Sequence, residues 1–131
     1  NKKSFVNYTI GAGLVMRAIY EEGDENTKDL IKSAIVTMMS GENLFAKLSA
    51  TSLVLVIPIR EYYTMTQLVL LDLMLKHGTS KTGSEIAKFA KGVADEIKED
   101  QEKNPVEQVI PNEFFFLRSL TPKPLQKSDN K

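Results

Sequence analysis

The sequence predicts an all-α fold: a compact bundle of about five helices, a hydrophobic central helix at 64–77, and a short aromatic C-terminal segment. Three observations predict it. Apolar residues recur at helical spacing in segment after segment. The single β-branched run, "SLVLVIPI" at 52–59, has no evident partner strand. The chain has 131 residues, 42% of them hydrophobic, which suits one domain with a core.

Asn1 to Ser4 form a polar lead-in, followed by "FVNYTIGAGLVMRAIYEEG". Leu14, Val15, Ala18 and Ile19 mark one helical face. Gly11 and Gly13 weaken the beginning of this run, so the helix is expected from near Gly11, with 5–10 extended. The next segment, "DENTKDLIKSAIVTMMSG", carries Leu30, Ile31, Ala34, Ile35, Met38 and Met39 as an apolar stripe. Asp24 or Asn26 caps its start, where acidic side chains also suit the dipole, and Gly41 is a plausible stop.

"ENLFAKLSATSLVLVIP" reads as a helix until Pro58 breaks it, with a strand over 52–59 as the competing reading. "TMTQLVLLDLMLKHG" is apolar nearly all round, the pattern of a central helix, with Thr64 and Gln67 as a capping box. "TGSEIAKFAKGVADEIKED" presents Ile86, Phe89, Ala90, Val93 and Ile97 on one face. Thr82 with Glu85 makes a second capping box, and Ser84 is a competing cap. Residues 1–100 thus read as one helical domain. Residues 101–121 read as a linker and docking segment of that domain, with Asn112 able to cap a short turn carrying Phe114 to Leu117. Residues 122–131 read as a flexible tail.

Composition narrows the function. Lys plus Arg is 17 and Asp plus Glu is 17, so no excess of cations points to nucleic acid. Without Cys there is no disulfide framework, thiolate metal site or Cys nucleophile; this fits a reducing, intracellular compartment and would also fit a secreted protein that uses no disulfides. With His77 the only histidine, no metal site is predicted. The longest apolar run, 53–59, is far short of the roughly 20 residues of a membrane span. No signal-peptide pattern opens the chain; it begins at Asn1 and is expected to be trimmed or to be part of a longer protein.

Motif-like stretches lack their working parts. "GTSKTG" at 78–83 has the glycine spacing of a phosphate loop, but Ser84 and Glu85 stand where Lys and Ser/Thr should follow. Lys81-Thr82-Gly83 and Ser128-Asp129-Asn130 spell two boxes of serine β-lactamases in the wrong order, in too short a chain. "IGAGLVM" lacks the third glycine of a dinucleotide fingerprint. His77, in a last helical turn, has no evident nucleophile beside it and suits the negative dipole end. Asp72, inside an apolar helix, if buried needs Arg17, Arg60 or a lysine as partner or must be protonated, or else it sits at a wet edge. No catalytic residue, cofactor site or enzyme activity is predicted.

The sequence therefore predicts a non-enzymatic protein–protein interaction or assembly domain, self-associating, with a protein partner or a second copy. Its candidate contact residues are Phe114, Phe115, Phe116 and Leu117, which cannot all turn inward together, and the adaptable pair Met38 and Met39. The alternative is a helix-turn-helix nucleic-acid-binding or transcription-regulatory module. It would use Lys76, Lys81, Lys88 and Lys91, with "SEIAKFAKG" as first helix and "ADEIKEDQE" as second. The acids of that second helix oppose phosphate.

Overall fold

The computed structural model describes the backbone of residues 2–114 and the side chains of 11–114. The fold is all-α. Five helices follow one another: α1 (Lys2–Glu22), α2 (Glu25–Ser40), α3 (Leu44–Val56), α4 (Tyr63–His77) and α5 (Lys81–Lys103). A 3-10 turn, Arg60–Tyr62, leads into α4, and no strand occurs among the described residues. The helices divide into two compact units, one ending at Ile59 and the other starting at Arg60.

In the first unit, α1 and α2 both pack on α3. The Asp24 side chain accepts the Thr27 N–H at 2.9 Å and so caps α2, as its position before the apolar stripe requires. Asn43 caps α3 the same way through the Ala46 N–H. The predicted stripe of α2 is rotated. Ile31, Ile35, Val36 and Met39 are buried, whereas Leu30 is 72% exposed. Leu48, Ala50, Leu53 and Val54 of α3 are buried as well. The ambiguous run 52–59 is helical up to Val56. Pro58 cannot donate to the ladder, and the chain leaves the helix through Ile57, whose N–H still reaches the Leu53 carbonyl at 2.9 Å.

Helix α1 corrects the expectation of an extended 5–10 segment, since it is helical from Lys2. Glycine in a helix interior costs about 1 kcal/mol relative to alanine, which weakens a helix without stopping it. Gly13 has a packing role that spacing does not reveal. A Cβ there would lie 3.0 Å from Val56 Cγ1, so its absence lets α1 settle directly on α3.

The second unit is an α4–α5 hairpin. The start of α4 meets the end of α5: Tyr63 and Arg60 bond to Asp100, and the Gln67 amide donates to the Ala94 carbonyl at 2.8 Å. The helices therefore run antiparallel. The predicted apolar helix at 64–77 is α4, whose Tyr63, Met65, Thr66, Leu68, Val69, Leu70 and Leu73 are buried. Ala90, Val93 and Ile97 of α5 are buried too.

Neither predicted capping box forms. The 3-10 turn moves the start of α4 up to Tyr63, so Thr64 already lies inside it, and Gln67 is engaged with α5. Helix α5 starts two residues earlier than a Thr82 cap and four earlier than a Ser84 cap would dictate, because Ser80 caps it by accepting the Gly83 N–H at 2.7 Å. The turn Gly78-Thr79-Ser80 is tight enough that a Cβ at Gly83 would overlap the His77 carbonyl oxygen.

Beyond Lys103 the chain folds back along the start of α4. The Val109 N–H donates to the Glu61 carbonyl at 2.8 Å, and a short turn ends at the buried Phe114. Residues 115–131, which include Phe115, Phe116, Leu117 and the predicted tail, lie outside the described residues.

Candidate interaction surface

On α1, one face meets α3 and the opposite face meets solvent. Gly13 is buried, and Met16 and Tyr20 are half-buried on its side. Positions 14, 15, 18 and 19 fall on the opposite side by the 100° step of the helix. All four are exposed, with Leu14 56%, Val15 62% and Ile19 50% accessible. The apolar stripe that a soluble helix normally turns inward is here turned outward. Three large aliphatic side chains on one continuous helical face are a contiguous patch, unlike a scattered surface leucine. Arg17 borders the stripe and pairs with Glu21 at 2.6 Å, both side chains about half exposed.

The residues singled out by sequence separate. Met39 is fully buried and Met38 half-buried, both on α2. Phe114 is buried, at 1% exposure. Lys76 pairs with Asp72 at 3.0 Å and Lys91 with Asp95 at 3.0 Å, both across one helical turn. Lys81 and Lys88 are exposed on α5. The division into two helices near Gly92 is absent, because α5 runs unbroken from Lys81 to Lys103. Asp72 takes a lysine from its own helix as partner. His77 lies in the last turn of α4.

A polar convergence that spacing did not reveal lies at the base of the second unit. Asp100 Oδ2 accepts from Tyr63 Oη at 2.6 Å and from Arg60 Nε at 2.8 Å, while Oδ1 accepts from Arg60 Nη2 at 3.3 Å and from Asn104 Nδ2 at 3.0 Å. The Arg60 guanidinium and the Tyr63 hydroxyl lower the Asp100 carboxyl to about 2. Burial, then the hydrogen bond to Asp100, pushes the Tyr63 phenol up. A carboxylate so acidic is a weak base near neutral pH, and a phenol raised in this way is a weak acid there. The cluster ties Arg60 and Tyr63, at the start of α4, to Asp100 near the end of α5. Arg60 and Asp100 are 40 residues apart in sequence, so no local spacing announces their pairing.

Among the described residues, no group of three or more His, Asp and Glu side chains is placed to hold a metal ion. Nor is any described helix long and apolar enough to cross a membrane. No family model matches the chain, and neither the curated proteins nor the solved structures contain a match to it.

Proposed function

We propose that this chain is a non-enzymatic interaction or assembly domain that associates with itself. One observation carries the reading: Leu14, Val15 and Ile19 form an apolar face on α1 that stays exposed while the other face of the helix is packed. Leaving such a patch in water is unfavourable at about 25 cal/mol per Å², and a partner surface removes that cost. The balance of 17 cationic and 17 anionic residues leaves two copies without long-range repulsion. Light scattering over a dilution series tests the reading. A mass that rises with concentration is expected, and a monomer at every concentration overturns it.

A further inference from the structure

We infer that residues 104–114 form a strap that opens and closes as one unit over the start of α4, while the α4–α5 hairpin beneath it stays folded. The device lies within the second unit and is independent of self-association.

The strap is attached at few points. Over 104–113 only Gln108, Ile110 and Pro111 are half-buried, and the other positions are exposed. Phe114, at the far end, is buried. Between the two ends, polar bonds to the start of α4 fasten the chain. Gln108 Oε1 accepts the Thr64 N–H, Gln108 Nε2 donates to the Arg60 carbonyl, and the Val109 N–H donates to the Glu61 carbonyl. The hairpin has ties of its own: it buries Leu68, Leu70, Leu73, Ala90, Val93 and Ile97, and it is cross-linked at Asp100 and Gln67. A segment with one buried side chain and exposed backbone belongs to the low end of local stability, and such a hairpin to the high end.

The attachments form one network, so they are lost together. Gln108 Nε2 donates to the Val106 carbonyl at 3.0 Å as well as to Arg60, so one amide fixes both the shape of the strap and its seat on α4. Pro105 and Pro111 stiffen the stretch on either side, because each ring fixes φ and holds the preceding residue extended. A stiff segment cannot give up one bond by a local bend and keep the rest.

The hinge is at Pro105. Asn104 stays with α5 through its N–H on the Asp100 carbonyl at 2.8 Å and its side-chain amide on Asp100 Oδ1 at 3.0 Å. Opening beyond it frees the Thr64 N–H and the Arg60 and Glu61 carbonyls, and brings the Phe114 ring into water.

Hydrogen exchange on the full chain, followed residue by residue by NMR through low urea, tests this. The amides of Thr64, Val109 and Phe114 should share one protection factor, at least about 10-fold below that of Leu70 and Val93. It should hardly vary with urea, since opening the strap exposes little surface. Gln108→Ala should lower all three by one factor, about 5-fold, the scale of a lost cap. Phe114 is the decisive readout, because its N–H bonds only within its own turn, to the Pro111 carbonyl. Phe114→Ala should act on Thr64 and Val109 in the same direction, by about 10-fold or more. In both variants Leu70 and Val93 should remain the more protected, with helical circular dichroism retained. Three unequal protection factors, or a Gln108→Ala chain in which Phe114 is unmoved, overturn the single unit. Protection of the three equal to that of Leu70 and Val93, or a hairpin that unfolds in either variant, overturns its independence from the hairpin.

Discussion

The hydroxyl of Tyr63 donates to the carboxylate of Asp100 at 2.6 Å, joining the first residue of α4 to the last turns of α5 across 37 residues of sequence. The Tyr63 ring is fully buried, whereas the Asp100 side chain keeps 25% of its surface in water. The bond is therefore charge-assisted on one side and apolar on the other, and its geometry sets how far α4 and α5 can slide past each other. Tyr63→Phe removes the hydroxyl while Asp100 keeps Arg60 and Asn104. The expected loss is about 2 kcal/mol, the range for a hydrogen bond to a charged group. Urea unfolding checks this as a lower midpoint at unchanged slope.

The same carboxylate makes stability depend on acid. Its folded value, about 2, lies below the ordinary aspartate value of 3.8, so the folded state binds its proton less readily than the unfolded one. The contribution is complete above the unfolded value and is lost as pH falls from about 4 to about 2. Wild type should therefore lose stability through that window more steeply than Asp100→Asn, measured by urea midpoints at stepped pH. Tyr63 acts at the other end of the scale. Its raised phenol favours the folded state below the ordinary tyrosine value of 10.0, and that contribution declines as pH climbs beyond it.

Gly83 and Gly92 lie on the same helix and should respond oppositely to alanine. A Cβ at Gly83 would collide with the His77 backbone and with the Ser80 hydroxyl that caps the helix, while a Cβ at Gly92 meets nothing within 4 Å. Gly83→Ala should cost on the order of 2 kcal/mol or more, through overpacking and loss of the cap. Gly92→Ala should stabilise by about 0.5–1 kcal/mol, the interior helix propensity difference. Thermal unfolding of the two variants side by side reads both signs.

Helix α4 has no cap from its own preceding residue, and Gln108 supplies one from a distance. The Gln108 Oε1 accepts the Thr64 N–H at 2.7 Å, and its Nε2 donates to the Arg60 carbonyl at 2.9 Å. Gln108→Ala should cost about 1 kcal/mol, as loss of an N-cap does. Hydrogen exchange gives the local readout: the Thr64 and Val109 amides should exchange faster, and amides in the middle of α5 should not.

Gly13→Leu should separate α1 from α3, because the added side chain enters space held by Val56 and Leu53. A loss of about 1–3 kcal/mol is the usual scale for an overpacked contact. Gly11→Ala, two residues earlier and facing open space, should leave the isolated chain at least as stable. Thermal unfolding at low protein concentration, where a monomer dominates, separates the two.

Local chemistry in the sequence was enough to mark several helix ends, though not the start of α1. Asp24 before a run of Ile and Met, Pro58 after a run of Val and Leu, and Gly78 after an apolar stretch each act within one turn, and each marks an end that the structure contains. Signals that depend on competition between neighbours were less legible. Ser80, Thr82 and Ser84 are all good caps. The structure uses Ser80 because the Gly78-Thr79-Ser80 turn brings the His77 carbonyl against Gly83. Thr64 and Gln67 spell a capping box, but the bonds of both are taken by Gln108 and Ala94, residues 44 and 27 positions away.

The composition and the 3.6-residue period by themselves determined an all-α chain with a strongly apolar helix at 64–77, because helix formation and its termini are set by residues within a few positions of each other. Which side of a helix faces water was decided only by the tertiary structure. The stripe at Leu14, Val15, Ala18 and Ile19 has the periodicity of a buried face, yet Gly13 lets the Val56 and Leu53 side chains of α3 come close on the opposite side, and that face is the one that packs. The union of Arg60, Tyr63 and Asp100 was likewise invisible until the hairpin closed, since charges 37 to 40 residues apart carry no spacing signal of their own.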